Sequence, residues 1–510
     1  MTILEIIVLL PILAAITIAF GAPARATSLI AAIGVAICAF VTAMPNHFNV
    51  SKEGVSNFSF QYFGETGFQG RKVFDIDGFP DISLAFGIDG ISMVLMLLTA
   101  IVSLAAIWIS PKEDAIKGSS KLYYICCLLI GAGAMGAFLS TDLFFLYAFH
   151  ELALIPTFLM IGIFGVGANR VKTAWTITIY LGVGSLILLL GLIATMSGLN
   201  AETFDIPSLI AVARESGMEQ QAQMWIYLPL LIGFGILVSL FPFHSWAPNA
   251  YADAPTPVAM LHAGVLKKFG LYGLIRVANP ILPQGAEALT NLILILLVGN
   301  IIILGLVTIA QKRLDKMLGY SSVMHMGYVF LGIASGTYIG TVGAVLLMFA
   351  HGISIALLFA LSGALRDRYG SLEFAKLGGL AKVIPAAGLL FGFAAFASIG
   401  LPGFTNFAAE VMVFFGAFRD FDGTFGPLQW ATILALWGVV ISAVYMLRAF
   451  RNIFKGELAA KLPKVSDLNW AEKLPIFLLL GTLLLTGFVP ELLIKYLRPA
   501  LEGLMVAVGG

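Results

Sequence analysis

Charged side chains are scarce in this chain. Only 11% of its 510 residues are Asp, Glu, Lys or Arg, whereas 59% are hydrophobic. Because soluble domains carry about 25% charged residues, this composition excludes an ordinary soluble enzyme and indicates a polytopic membrane protein. The net charge of +1 gives no sign of nucleic-acid binding.

Cysteine is almost absent as well. The three cysteines, Cys38, Cys126 and Cys127, lie in apolar runs without the spacing of metal ligands, so we interpret them as packing residues and predict no metal site. The segment Gly131-Ala-Gly-Ala-Met-Gly136 matches the GxGxxG pattern of dinucleotide sites. It lies inside an apolar run with no preceding strand, so we predict no nucleotide site there.

Long apolar runs make up most of the sequence. A bilayer core needs about 20 apolar residues per helix, and about 14 runs meet this requirement. The first run has neither a basic segment before it nor a clear cleavage site, so we interpret it as a span rather than a signal peptide. The predicted spans are residues 3–20, 27–45, 84–109, 122–140, 143–165, 173–197, 225–243, 255–277, 288–310, 318–335, 339–363, 380–417, 428–450 and 474–494.

Two of these spans are predicted to be broken. The twelfth is too long for one straight helix and contains Gly400-Leu-Pro-Gly403, while the seventh reaches Pro242 and is expected to break near Ser239. Broken helices are tolerated in membranes where they line a polar cavity. Because the breaks are five spans apart, we predict two inverted five-helix repeats, spans 4–8 and 9–13.

This arrangement divides the chain into four predicted parts. Residues 1–121 hold spans 1–3 and an external loop, residues 122–277 form the first repeat, residues 288–450 form the second, and residues 451–510 hold a cytoplasmic loop and the last span. The loops after odd-numbered spans carry 19 of the 29 Lys and Arg residues, and the opposite loops and tail carry eight. The positive-inside rule therefore predicts that both termini and the loop 45–81 lie on the external side of the membrane.

Several ionisable side chains lie inside the apolar spans. A charge at the centre of a bilayer costs about 3 kcal/mol on insertion scales, and such residues usually mark proton or ion pathways. Carboxylates, lysines and histidines together indicate proton transfer, because each can bind and release a proton. A structural role, as hydrogen-bonding groups between helices, is the alternative for the glutamate of span 5 and for the histidines. The residues are Glu151, Lys267, Lys268, Glu410, His262, His325 and His351.

Several blocks of sequence between residues 84 and 450 carry a family resemblance. They are Phe86-Gly-Ile-Asp-Gly-Ile-Ser-Met93, Glu151 with Ile155-Pro156, Leu240-Phe-Pro-Phe-His-Ser-Trp-Ala-Pro248, Asp253-Ala-Pro-Thr256, Ala263-Gly-Val-Leu-Lys-Lys-Phe-Gly-Leu-Tyr-Gly-Leu-Ile-Arg276, Tyr320-Ser-Ser-Val-Met-His-Met-Gly327, Ala350-His-Gly-Ile-Ser354 and Gly400-Leu-Pro-Gly-Phe-Thr-Asn-Phe-Ala-Ala-Glu410. These blocks resemble the antiporter-like subunits of the respiratory NADH:quinone oxidoreductase, complex I, and most closely the M type.

The resemblance implies a proton-translocating module of 14 helices in the bacterial inner membrane. Glu151 would match the span-5 glutamate, which couples to a neighbouring subunit. Lys268 would match the central lysine of span 8, and Glu410 the span-12 glutamate on the exit side. The other residues predicted on the proton pathway are His325, His351, Lys267 and His244.

The resemblance also implies that the redox chemistry lies in other subunits. NADH, FMN, iron–sulfur clusters and quinone would be bound by those partners, so this chain would bind no cofactor while belonging to a translocase. Its partners would be the neighbouring antiporter-like subunits of the membrane arm and the lipid bilayer.

One departure from the family pattern concerns span 7. The family usually has a lysine seven residues before the histidine that matches His244, and a proline two residues after that lysine. This chain has Leu237 and Ser239 at those positions. The cation expected to face Glu151 is therefore missing, and we hypothesise that Lys267, an additional lysine beside Lys268, supplies a replacement charge.

Two other functions fit the same sequence. A subunit of a multisubunit Na⁺/H⁺ antiporter or of a membrane-bound hydrogenase would share the fold. A structural subunit with an impaired channel is a further alternative, supported only by the missing lysine of span 7.

Overall fold

The chain is helical almost throughout the residues that its computed structural model describes, which are 2–44, 71–74, 80–419, 421–459, 462–463 and 465–508. Most of the loop 45–81, predicted to be external, lies outside these residues. A short antiparallel hairpin pairs strand β1, Arg71–Phe74, with strand β2, Ile82–Leu84. Short 3₁₀ turns cover Glu113–Ala115, Phe374–Lys376 and Leu380–Lys382.

The helices follow the predicted spans closely, with bounds that differ by a few residues. They are α1 Ile3–Ala19, α2 Ala24–Thr42, α3 Gly90–Ile109, α4 Ser120–Leu139, α5 Leu143–Phe164, α6 Arg170–Leu199, α7 Ile206–Glu215, α8 Gln220–Val238, α9 Trp246–Asp253, α10 Thr256–Ile281, α11 Pro283–Ala288, α12 Thr290–Ala310, α13 Leu314–Ala334, α14 Tyr338–Tyr369, α15 Pro385–Ile399, α16 Thr405–Phe418, α17 Pro427–Phe454, α18 Trp470–Phe488 and α19 Glu491–Val508.

Twelve helices of the described chain are long and apolar enough to cross a membrane: α2–α6, α8, α10, α12–α14, α17 and α18. Helices α1, α15 and α16 are apolar but shorter. An all-α, multi-pass architecture is therefore confirmed, whereas the count of 14 spans, the inverted repeats and the four-part division stay predictions. Helices α7 and α19 were not predicted from the sequence as separate helices.

Both predicted helix breaks are present. Helix α8 ends at Val238, and Ser239 has a left-handed backbone with φ 65° before α9 begins at Trp246. Helix α15 ends at Ile399, and Gly400 has φ 82° before α16 begins at Thr405. A positive φ ends a helix because the next carbonyl can no longer continue the ladder of backbone hydrogen bonds.

Helices α10 and α14 occupy the centre of the bundle. The apolar segments of both helices are fully buried by the rest of the chain, and both helices pack against α3 and against each other. Helix α13 packs against α14 and is buried over most of its length. By contrast, α6 and α17 expose large apolar side chains such as Ile179, Leu186 and Trp437. The central helices are therefore the ones shielded from lipid, and they hold the polar residues described next.

Candidate functional site

The two adjacent lysines of α10 follow an irregular turn. Residues His262–Leu266 form a π-helical turn, and a second π turn covers Leu274–Ala278. Such turns are often found at functional sites, and neither was predicted from the sequence. Lys267 and Lys268 come directly after the first turn, and both side chains are 0% exposed.

Lys267 begins a series of buried contacts that we call the central polar chain: Lys267, Ser322, His351, His325 and the carbonyl of Ser398. Lys267 Nζ donates to Ser322 Oγ at 3.2 Å, and Ser322 Oγ lies 3.1 Å from His351 Nε2. The His351 and His325 rings are stacked with their centroids 5.2 Å apart. His325 Nε2 lies 3.0 Å from the carbonyl oxygen of Ser398, which immediately precedes the break after α15. The central polar chain therefore connects α10, α13, α14 and α15.

Glu410 lies on the other side of that break, in α16. Its carboxyl group packs against Gly400, where an added Cβ would come within 2.5 Å of Glu410 Oε2. Asn406, one helical turn before Glu410, donates to Ser354 Oγ at 3.4 Å. Ser354 in turn donates to the carbonyl of His351 at 3.2 Å. The break thus brings the acid and the histidines of the central polar chain to the same part of the bundle.

Lys268 has a different partner from its neighbour. Lys268 Nζ donates to the backbone carbonyl of Ala263 at 2.6 Å, within the same helix. Lys267 Nζ also lies 5.2 Å from the centre of the Tyr251 ring, and the Tyr251 hydroxyl is 3.4 Å from His262 Nδ1. Within the described chain, neither lysine forms an ion pair with a carboxylate. The hydrogen-bonded connection to the histidines is therefore made by Lys267, not by Lys268.

The structure contradicts the hypothesis that Lys267 replaces the missing cation beside Glu151. Glu151 Oε1 instead accepts a hydrogen bond from Ser185 Oγ and lies 3.3 Å from His150 Nδ1. Consecutive residues of a helix point about 100° apart, and Lys267 points towards α13. Leu237, at the position of the missing lysine, is buried as part of the apolar core.

Glu151 is the most open of the predicted acids. Its side chain is 36% exposed, whereas that of His150 is 5% exposed and its ring is stacked on Phe269 with centroids 4.1 Å apart. Ser185 on α6 donates to the same carboxylate oxygen that His150 contacts. Glu151 is therefore accessible from outside the chain, while His150 joins it to the helix that carries the lysines.

Two histidines lie apart from the central polar chain. His244 stacks on Phe241 with centroids 5.8 Å apart, and its Nδ1 is buried without a hydrogen-bond partner among the described residues. His262 contacts Tyr251 through Nδ1, while its buried Nε2 likewise has no partner in the described chain. The structure does not bring His244 into the hydrogen-bonded series, so its predicted role is not supported by these contacts.

Sequence reasoning missed several residues of the site. Ser322 precedes His325 by three positions and Asn406 precedes Glu410 by four, and both spacings place a pair on one helix face. This signal could have found them. Ser185, Tyr251 and the carbonyl of Ser398 reach the site only through tertiary packing, which no local pattern predicts.

A basic cavity lies at one end of the helices, away from the central polar chain. Its volume is about 750 Å³. The basic side chains lining it come from four loops that were all predicted to be cytoplasmic, so these loops meet on one face of the bundle. They are Arg25, Lys112, Lys117, Arg170 and Arg366. Across the described chain, no group of three His, Cys, Asp or Glu residues is placed to hold a metal ion.

Comparison with known proteins relates this architecture to a family of membrane complexes. The family model described as "NADH:quinone oxidoreductase/Mrp antiporter, TM" matches residues 140–442. NADH-quinone oxidoreductase subunit M of Rickettsia bellii is 34% identical over 421 residues, which cover 82% of each chain. This identity and coverage show membership of one protein family and not only a shared fold.

Solved structures agree with this relationship. A chain of respiratory complex I from Thermus thermophilus with bound NADH superimposes with a TM-score of 0.85 at 27% identity, covering 100% of both chains. A chain of the Mrp complex from Dietzia sp. gives a TM-score of 0.82 at 21% identity over 100% of both chains, which shows a shared fold. The chain described here is a multi-pass membrane protein that belongs to the NADH:quinone oxidoreductase/Mrp antiporter family.

Proposed function

We propose that this chain is a membrane-arm subunit of NADH:quinone oxidoreductase that moves protons across the membrane, coupled to electron transfer in other subunits. The subunit M relatives and the complex I structure support the assignment to this enzyme. The observation that carries proton transfer is the central polar chain together with Lys268, since two lysines and two histidines are thereby buried in the middle of apolar helices. Burying such groups is costly in a membrane, so their presence indicates a function.

Each ionisable residue has a proposed role in this transfer. Lys267 and Lys268 hold the proton at the centre, and His351 and His325 carry it towards the break after α15. Glu410, on the far side of the break, releases it on the exit side. Glu151 is the acid that responds to a neighbouring subunit, because its carboxylate is open to the outside of the chain.

The coupling is electrostatic. Charges interact strongly in the low dielectric of the bundle, so a change of charge beside Glu151 alters the proton affinity of the buried lysines. Glu151 and the buried lysines are also connected by contacts. His150 contacts Glu151 and stacks on Phe269 of α10, the helix that carries the lysines. A proton bound at the lysines is then driven along the central polar chain.

The proposed location is the bacterial inner membrane, with both termini on the outer side. The positive-inside rule carries this orientation, and the basic cavity agrees with it because the loops assigned to the cytoplasm meet on one face of the bundle. The proposed partners are the adjacent antiporter-like subunits. NADH, FMN, iron–sulfur clusters and quinone are assigned to other subunits of the enzyme, and this chain carries out no redox step.

The function is tested with inverted membrane vesicles from cells that carry Lys268→Met. We expect the complex to assemble on a native gel and NADH-driven proton uptake to fall, because the buried amino group is lost. Lys376→Met is the matched control, since Lys376 is exposed and pairs with Glu373 at the surface. Unchanged uptake in an assembled Lys268→Met complex would contradict the proposal and favour a structural subunit with an impaired channel, the function suggested by Leu237.

A second candidate function is that of a subunit in a multisubunit Na⁺/H⁺ antiporter. The family description names both classes, and the Dietzia Mrp chain shares the fold. A membrane-bound hydrogenase subunit would be built in the same way. If Lys268→Met abolishes sodium/proton exchange but leaves NADH-driven uptake unchanged, the antiporter function is correct.

A further inference from the structure

We propose that Lys267 and Lys268 share a single excess proton, with Lys268 storing it and Lys267 delivering it to Ser322 and His351. This inference rests on the proposed proton transfer and assigns its central step to particular atoms. It is carried by the different hydrogen-bond partners of two neighbouring, fully buried amino groups.

The two amino groups lie in one region without a compensating acid. Both lysines are 0% exposed, and no carboxylate of the described chain pairs with either. Tyr251 faces Lys267 directly, His262 reaches it through Tyr251 and His351 reaches it through Ser322. His244 and His325 are also close enough to interact electrostatically with Lys267. Because two like charges in a low-dielectric interior repel each other strongly, only one lysine is charged at a time. The pair is therefore one ammonium and one amine.

Ser322 makes Lys267 the delivering residue. A serine hydroxyl donates one hydrogen bond and accepts others, so Ser322 can accept from Lys267 Nζ and donate to His351 Nε2. Transfer breaks an N–H bond of Lys267 and forms an O–H bond on Ser322, while the original O–H bond of Ser322 breaks and an N–H bond forms at His351 Nε2. Lys267 is left as an amine and His351 becomes an imidazolium.

The hydrogen bond of Lys268 offers its proton no comparable route to the histidines. The carbonyl of Ala263 accepts a hydrogen bond but has no proton of its own to pass on. Hydrogen bonds from a charged donor are stronger than those from a neutral one, so this carbonyl favours the charged form of Lys268. The proton rests there until a change of charge nearby favours an ammonium at Lys267. One N–H bond of the Lys268 ammonium then breaks and an N–H bond forms at the Lys267 amine, which leaves Lys268 neutral and Lys267 ready to donate to Ser322.

The inference is tested in the whole complex reconstituted into liposomes, by measuring protons transported per NADH oxidised. Lys267→Leu and Ser322→Ala are each expected to lose the same share of transport as Glu410→Gln. The double variant Lys267→Leu/Ser322→Ala should lose no more than either single change, because both interrupt one step. Ser322→Thr keeps the hydroxyl and should retain transport.

The matched control is Ser362→Ala. Ser362 is a buried hydroxyl on α14 that donates to the carbonyl of Phe359 in its own helix at 2.9 Å. Its loss should leave the ratio of protons to NADH unchanged. Native gels establish that each variant complex has assembled, and if Lys267→Leu does not assemble, the Ser322→Ala and Ser322→Thr pair decides: equal ratios in these two variants overturn the inference.

Other outcomes separate this inference from the proposed function. A normal ratio in Lys267→Leu with a reduced ratio in Lys268→Leu and Glu410→Gln would overturn the inference and leave the proposed function intact. Recovery of Lys267→Leu by adding Leu237→Lys would also overturn it, because Lys267 would then replace the lysine of span 7. Normal ratios in every variant, including Glu410→Gln, would refute the proposed function itself.

Discussion

The two glutamates of the site have opposite surroundings. At the Glu410 end, which comprises Glu410, Gly400 and Ser398, the acid is 5% exposed and lies beside the end of the central polar chain. At the Glu151 end, which comprises Glu151, His150 and Ser185, the side chain of the acid is 36% exposed. The same type of side chain is thus enclosed by the rest of the chain at one end and open to the outside of the chain at the other.

The difference follows from the local structure of the two helices. Glu410 comes after a broken helix, and a residue with φ 82° at Gly400 leaves room for the carboxyl group against the backbone. Glu151 lies in the unbroken helix α5, where the expected cation is replaced by the apolar Leu237. The Glu410 end is therefore buried within this chain, whereas the Glu151 end is partly exposed at its surface.

The largest expected effect is that of Glu410→Gln. Glutamine cannot release a proton, and no other acid occupies this position among the described residues, so the entire contribution of this subunit to transport should be lost. The measurement is the number of protons transported per NADH oxidised by the reconstituted complex. Glu373→Gln is the control, because Glu373 lies near the surface and pairs with Lys376. If Glu410→Gln retains transport, the buried Glu410 end is no more essential to proton transfer than the exposed Glu151 end.

Glu151→Gln should cause a smaller loss than Glu410→Gln. The amide still accepts a hydrogen bond from Ser185, and His150 still contacts Phe269, so the path from α5 to the lysine helix remains. What is lost is the charge that responds to the neighbouring subunit. Transport per NADH is measured with Glu410→Gln alongside, and an equal loss in both variants would show that the open acid lies on the proton path itself.

Much of this comparison could be predicted from the sequence, because it depends on local patterns. The length of the apolar runs located the helices, and the Gly-Leu-Pro-Gly segment located the break that precedes Glu410. The partners of Lys267 and Lys268 could not be predicted, since the two residues are adjacent and a π turn precedes them. Which of them meets Ser322 depends on the rotation of α10 against α13, and this rotation is set by tertiary packing. The exposure of Glu151 likewise depends on whole-chain packing.

Glycine substitutions should separate the two ends by their effect on stability. Gly400→Ala places a Cβ within 2.5 Å of Glu410 Oε2 at a positive φ, so we expect a destabilisation of about 2 kcal/mol. Gly182→Ala, in α6 one turn from Ser185, meets no atom within 4 Å and should stabilise its helix by about 0.5 kcal/mol. Thermal unfolding of the purified complex measures both, and similar midpoints for the two variants would contradict the tight packing at Gly400.

A pH dependence of stability is expected at the start of the Glu151 helix. Asp142, outside the spanning segment, caps α5 by accepting hydrogen bonds from the N–H groups of Phe144 and Phe145 at 2.9 and 3.1 Å. Burial nevertheless raises the pKa of Asp142 from its usual value of 3.8 to about 6, against the effect of these hydrogen bonds and one from Ser83. Between these two pH values the folded state binds more protons than the unfolded state.

The sign of this effect is fixed by linkage. The stabilisation from protonated Asp142 is complete below pH 4 and is lost as the pH rises through about 6, amounting to about 3 kcal/mol at most. Asp142→Asn should remove this part of the pH dependence, because the amide does not titrate, although its NH₂ group then faces the N–H of Ser83 and weakens one contact. Unfolding midpoints of both complexes from pH 4 to 7 test the expectation. If the unfolding midpoints of the two complexes change in parallel with pH, Asp142 is already ionised throughout this range. The exposed surroundings of Glu151 would then extend to the start of α5.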